Sequence, residues 1–340
     1  MRPAGLPRKY APARMGERFE ELYEKRRGAY AKDASDEEFL RRLNEDLAER
    51  EQALYEDVGV ERPVVFVVGL PRSGTTLLSQ LLAYCLDAGY VTNVAARFWL
   101  APVHGIRLSR VLAGDEPPAS FESDYARTKP LTGIHEFGYF WRRWLRKDTF
   151  EDVARSAERE DEIDWAGLRR TLGNVQAELG RPLVAKNMLG AYHMPRLRRE
   201  LGPILWVEIE RDPLDVAVSI LNARRSYYDD PSAWWSYVPL EIEELRGLDP
   251  WEQVAGQVHY LSRLYARAEA ELPPDGFLRV RYKELARDPA AVLEAVRAHT
   301  GIPLRREPPA SFELRRHEGR EEEKERFAAL LERFAEKDSA

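Results

Sequence analysis

One stretch of the sequence is built to hold an anion: Gly69-Leu70-Pro71-Arg72-Ser73-Gly74-Thr75-Thr76. Small residues let the backbone curl so that successive N–H groups turn inward. A helix starting near Thr75 adds its positive end and its unpaired N–H groups, and Thr75 and Thr76 add hydroxyls. Gly69 and Gly74 enclose four residues, the spacing of a nucleotide phosphate loop. An ATP or GTP loop continues Gly-Lys-Ser/Thr, its lysine reaching the β- and γ-phosphates. Here that position is Thr75, and the positive charge sits inside the loop on Arg72.

A second basic element follows at Ile209-Glu210-Arg211-Asp212-Pro213, with Ser219 eight positions after Arg211. Asp212 suits a helix N-cap and Pro213 the first helical position. Arg211 then stands at the carboxyl end of a strand, where α/β folds bind ligands. Ser219 lies about two helical turns beyond the cap and returns to the same face, so the pair can approach one anion from two sides. Candidate proton-transfer groups stand at His135 and Glu136, within the glycine- and aromatic-rich run Gly133 to Trp141. Histidine titrates near neutrality, and apolar surroundings raise a glutamate toward it. Neighbouring residues point in different directions, so one of the two is expected to reach a substrate.

At these residues the chain resembles the sulfotransferases that use 3'-phosphoadenosine 5'-phosphosulfate (PAPS), whose 5'-phosphosulfate loop reads Pro-Arg-Ser-Gly-Thr-Thr. The resemblance implies that Arg72, Ser73, Gly74, Thr75 and Thr76 hold the 5'-phosphosulfate, and that Arg211 and Ser219 hold the 3'-phosphate. Leu183-Val-Ala-Lys186-Asn187 matches a strand end at which the family's lysine contacts the transferring sulfuryl group. Arg281-Tyr282-Lys283-Glu284-Leu285 resembles the family's Arg-Tyr-Glu-x-Leu segment and adds Tyr282 to the donor site. The likeness runs from about Pro63 to Pro303, nearest in character to the tyrosylprotein and carbohydrate branch. It implies an enzyme with PAPS as co-substrate, a hydroxyl acceptor (small molecule, glycan or lipid) and no metal. One departure is clear. Where the tyrosylprotein branch carries its base, this chain reads Tyr90-Val-Thr-Asn93-Val-Ala-Ala-Arg97, without a carboxylate. The base is therefore expected from Glu136 or His135, with Lys186 and Arg72 meeting charge on the sulfuryl group and the leaving phosphate. A P-loop kinase using ATP and Mg2+ and an inactive nucleotide-binding scaffold are the rival readings.

These residues need rigid elements behind them. Val64 to Val68 is a continuous apolar run and reads as a strand buried on both faces. Further strands are expected at Leu183 to Lys186, Ile204 to Glu210 and Phe277 to Tyr282. Helices are expected at Pro213 to Arg225, Trp251 to Glu271 and Val292 to His299, with Gly301 as a stop. Strands alternating with helices predict an α/β fold, a P-loop-like parallel sheet flanked by helices. Three parts are expected: a helical N-terminal extension at 1–60, with Asp33 to Asp36 as break and cap, an α/β domain at 61–305, and a helical tail at 306–340. Aromatics at Tyr139 to Trp144 and Trp234-Trp235 read as core or as an acceptor lining. Arg315-Arg316-His317 reads as solvated surface, and Glu208 and Glu210 as partners of nearby basic residues.

Composition narrows the rest. With 52 basic and 58 acidic residues the net charge is -6, the wrong sign for extended contact with nucleic acid. A single cysteine, Cys85, leaves no intramolecular disulfide and no cysteine metal site. The histidines show no metal-ligand spacing. The basic N-terminus lacks a signal peptide's apolar core, and no run of about 18 apolar residues predicts a membrane span. A cytoplasmic address is expected.

Overall fold

The computed structural model describes residues 19–123, 128–202, 204–314 and 320–339. Its centre is a five-stranded sheet made of β1 (Val64–Val68), β2 (Gly89–Tyr90), β3 (Leu183–Lys186), β4 (Ile204–Glu210) and β5 (Phe277–Arg281). The spatial order is β2-β3-β1-β4-β5, and every pairing is parallel. The unbroken apolarity of β1 follows from its place between β3 and β4, where both faces are covered. Val65 and Val67 pack with Leu78, Leu81 and Leu82 under the Thr75–Cys85 helix, joined there by the Pro289–Thr300 helix. Phe66 and Val68 face Trp141, Trp206 and the helices of the opposite layer. This is the α/β architecture read from the sequence, with helices on both faces and at both ends.

Boundaries differ in small ways that have local causes. The last strand stops at Arg281, and Tyr282 opens the Tyr282–Arg287 helix because Glu284 folds back toward the Arg281 N–H. The helix after β4 runs on from Arg225 to Tyr228, where Asp229 turns left-handed. The two-residue edge strand β2 is too short to leave a sequence pattern.

The terminal helices are fastened to this body. Asp33 caps the Ala34–Leu54 helix through the Ser35 and Asp36 N–H groups. Fully buried Asn44 donates to Arg97 O and accepts from Leu100 N, both at 2.8 Å. Buried Glu51 accepts the N–H groups of Val103 and His104 at the start of the Pro102–Ala113 helix. At the other end the Glu321–Ser339 helix seats Phe327 and Phe334 in the core and pairs Lys324 with Asp215 at 2.9 Å. Arg315 to His317 lies outside the described residues, as does the N-terminal stretch before Phe19. Among the described residues no helix is long and apolar enough to cross a membrane.

The strand register decides where chemistry collects. Val67 is level with Lys186, and Val68 is level with Glu208. The loop after β1, the end of β3 and the end of β4 therefore open on one edge of the sheet. Adjacent strands whose connections lead to opposite sides leave a crevice at that edge.

Candidate active site

The loop that follows β1 is held open by two glycines. Gly69 has φ +148, and a Cβ there would stand 2.6 Å from Ile209 O. Gly74 has φ +111, and a Cβ there would meet the Tyr282 ring at 2.8 Å. Arg72 also takes a positive φ, +70. The Thr75–Cys85 helix starts directly after Gly74, so its first N–H groups face into the curl. Ser73 is fully buried, and its hydroxyl has no hydrogen-bond partner among the described residues.

Two tyrosines that the sequence reading passed over brace this loop. Tyr265, on the Pro250–Glu271 helix, accepts the Gly69 N–H at 3.2 Å. Tyr237 donates to Gly69 O at 3.0 Å, and the two hydroxyls meet at 2.5 Å. Both polar groups of Gly69 are thus tied into one circuit in the core. No local spacing links these tyrosines to a glycine more than 160 residues away.

The second element meets the loop directly. Arg72 Nε donates to Ser219 Oγ at 2.9 Å, and Arg211 Nη1 donates to Arg72 O at 3.0 Å. The Arg211 guanidinium lies 4.8 Å from the centre of the Tyr282 ring, the ring that also closes on Gly74. Asp212 caps the Pro213–Tyr228 helix, as its sequence position suggests. Arg72, Arg211, Ser219 and Tyr282 therefore form one basic corner beside the loop.

At the end of β3, nearly buried Lys186 joins the loop to the His135–Glu136 pair. Its Nζ donates to Thr76 Oγ1 at 2.9 Å and pairs with Glu136 Oε1 at 2.5 Å. Asn187 donates to Glu136 O at 3.0 Å and fixes the backbone there. Glu136 is half-exposed, but crowding by the surrounding protein pushes its carboxyl up. The charge and hydrogen bond of Lys186 outweigh that and hold it below the ordinary carboxylate value. His135 is turned differently. Its Nδ1 accepts the Phe137 N–H at 2.9 Å, which leaves the ring proton on Nε2. Solvent reaches this ring, yet its pKa is lowered: crowding in the cleft disfavours the charged form, and Arg97, Lys186 and Lys32 add to this against Glu136.

A recess opens beside the pair. Val91, Phe137, Trp141, Leu172, Val175 and Ala185 line it, with Glu136 and Lys186 on its polar side. Its empty space is about 330 Å³, open mouth included. A larger recess of about 440 Å³ lies near β2, among Tyr90, Ser109, Arg110, Asp115 and Arg181. Of the two, the smaller is lined by Glu136 and Lys186, so it is the one that adjoins the chemistry. Among the aromatics, Phe140, Trp144, Trp234 and Trp235 are core, whereas Tyr139 lies outside that cluster, its hydroxyl accepting from Lys32 and donating to Glu37. Asn93, in the stretch without a carboxylate, ties down Thr128 and Pro130. Glu208 pairs with Arg279 at 2.8 Å, and Glu210 with Arg281 at 3.7 Å.

Residues 63–306 match the family model described as "Sulfotransferase family". The omega-hydroxy-beta-dihydromenaquinone-9 sulfotransferases Stf3 of Mycobacterium bovis and Mycobacterium tuberculosis are each 24% identical over 253 residues. The matched region is 71% of this chain but 63% of those curated relatives. Among solved structures, sulfotransferase STF1 of Mycobacterium tuberculosis H37Rv aligns with a TM-score of 0.51 at 20% identity. That alignment covers 87% of this chain and 86% of that one, a likeness of fold.

Proposed function

The chain belongs to the sulfotransferase family, and we propose that it moves a sulfuryl group from PAPS to a hydroxyl acceptor. The observation that carries this reading is the joining of three separate elements at one edge of the sheet. The lysine-free loop is tied to Ser219 and Arg211 through Arg72 and to Glu136 through Lys186. A donor with one phosphate joined to sulfate needs a cradle of N–H groups and a few fixed cations. A 3'-phosphate needs a second basic corner, for which Arg211 and Ser219 stand ready.

In this scheme the acceptor oxygen attacks sulfur, and its proton passes to Glu136. The bond from sulfur to the 5'-phosphate oxygen breaks, and the electron pair leaves on that oxygen. Arg72, Thr76 and the loop N–H groups meet the charge on the phosphate, and Lys186 meets the sulfuryl oxygens. Glu136 suits the base better than His135, because the Nδ1 lone pair of His135 is already spent on Phe137 N–H. As Lys186 turns toward the sulfuryl group, its hold on Glu136 loosens and the carboxylate becomes more basic. The apolar recess beside Glu136 suits the apolar part of an alcohol. The named relatives act on a hydroxylated menaquinone, an acceptor of that general character.

The test is transfer itself. Incubation with PAPS and a panel of apolar alcohols should give a sulfated product and adenosine 3',5'-bisphosphate, and chelator should not stop it. Turnover of ATP that requires Mg2+, with no sulfated product, would return the site to the kinase reading.

A further inference from the structure

Resting on this transfer reaction, we propose that the larger recess, beside β2, is a second subsite for the acceptor. It takes the far end of a long apolar chain whose hydroxyl lies at Glu136. One helix lines both recesses. On the Trp165–Leu179 helix, Leu172 and Val175 line the smaller recess and Leu179 lines the larger. Steps of three and four residues put these side chains on one helix face. The sheet edge is shared in the same way. Leu183 to Lys186 of β3 line the smaller recess, and Gly89 and Tyr90, their neighbours in β2, line the larger. Helix and edge strand are in close contact, since a Cβ on Gly89 would stand 3.0 Å from Leu179 Cβ.

A small apolar cluster forms the barrier between them. Ala95, Ile106 and Val175 pack together, with Val91 and Leu179 against them. Val91 and Val175 face the smaller recess, whereas Ala95, Ile106 and Leu179 face the larger. An apolar chain passing between these side chains exchanges one set of dispersion contacts for another. A polar chain would strand its hydrogen-bonding groups there. The larger recess also has its polar groups already answered. Arg110 pairs with Asp115 at 3.1 Å and with Glu178 at 3.0 Å, and Arg181 pairs with Asp87 at 3.3 Å. Thr92 and Ser109 share a hydrogen bond of 2.6 Å, and the Tyr90 hydroxyl donates to Thr132 O at 2.8 Å. What is left for a ligand is the surface of Ala88, Ala95, Ile106 and Leu179, which favours an apolar chain end over an ion.

Two spacings set the length of that chain. From Leu172 to Leu179 is about 10 Å of helix. From Lys186 back to Leu183, the partner of Gly89, is about 10 Å of strand. An extended polypeptide gains about 1.2 Å per backbone bond, and an alkyl chain zigzags in the same way. A hydroxyl beside Lys186 therefore needs roughly eight carbons behind it to reach the larger recess, and carbons beyond those enter it.

The experiment uses the full chain saturated with adenosine 3',5'-bisphosphate, and radiolabelled n-hexanol, n-octanol and n-dodecanol in equilibrium dialysis. One alcohol should bind per chain. Dodecanol should bind at least roughly tenfold more tightly than octanol, because its extra methylenes leave water for the larger recess. Leu179→Trp, which fills that recess, should erase the gain while keeping the wild-type melting temperature, bisphosphate affinity and octanol affinity. Leu179→Gln adds no such bulk at this half-buried position. It should weaken dodecanol at least roughly threefold and leave hexanol unchanged. Affinity that levels off at octanol, a full dodecanol gain in either folded variant, more than one alcohol per chain, or no binding of any alcohol would each overturn the inference. Bisphosphate binding is read first. Its failure would sink the transfer reading and this inference with it, whereas normal bisphosphate binding with a flat profile beyond octanol would sink this inference alone.

Discussion

Replacing Gly74 by alanine tests the link between backbone shape and donor binding. At φ +111 an L-residue is strained by about 1–2 kcal/mol. The new Cβ would stand 2.8 Å from Tyr282 Cδ2 and 3.1 Å from Ile209 Cδ1. Overpacking of this kind costs about 1–3 kcal/mol, so the expected loss is roughly 2–5 kcal/mol. Scaling unfolding entropy with chain length turns that into a fall in Tm of about 3–7 °C. The functional consequence runs through Tyr282, whose ring supports the Arg211 guanidinium. Pushing the ring away should weaken adenosine 3',5'-bisphosphate at least roughly tenfold. Differential scanning calorimetry and isothermal titration read the two effects on one sample. A double variant, Gly74→Ala with Tyr282→Ala, should lose less stability than the two single losses added together, because the clash is gone. A Gly74→Ala protein with wild-type Tm, or strictly additive losses, would refute the reasoning.

Two other consequences follow from the same geometry. Glu136→Gln should lower kcat by roughly 10²–10⁴-fold with bisphosphate binding nearly unchanged, whereas His135→Ala should stay within roughly tenfold of wild type; steady-state kinetics showing the reverse order would move the base to His135. Buried Glu208 is pushed up to about 7 by burial, against Arg279, from an ordinary value of 4.5. Between those values the folded protein keeps a proton that the unfolded chain releases, so this residue makes stability fall as pH rises through the window and stay level above it. Glu208→Gln should remove that slope in melting scans from about pH 5 to about pH 8, and an unchanged slope would show that Arg279 keeps Glu208 ionised throughout.

Much of the proposed donor side was legible because its information is local. The loop, the Asp212-Pro213 cap and the buried β1 run each lie within a dozen residues and obey backbone rules that any α/β fold shares. Lys186 and Glu136 could each be singled out, but not their 2.5 Å pairing, since fifty residues of chain separate them. The tyrosine circuit on Gly69 was hidden for the same reason: Tyr237 and Tyr265 look like any core aromatics until the fold brings their hydroxyls to one backbone group. The N-terminal helix read as a surface element because its charge pattern fits one. Only the packed structure shows that Asn44 and Glu51 fasten it to residues 97–104 and that Lys32 reaches Tyr139.

The central claim is that the site is built for a donor phosphorylated at both the 3' and the 5' position of its ribose. Isothermal titration of the protein with adenosine 3',5'-bisphosphate and with AMP tests it most directly. The account predicts that the bisphosphate binds much more tightly, and that Arg211→Ala costs at least roughly tenfold in its affinity while leaving AMP nearly untouched. Equal affinity for the two ligands, or an Arg211→Ala loss shared equally between them, would contradict it.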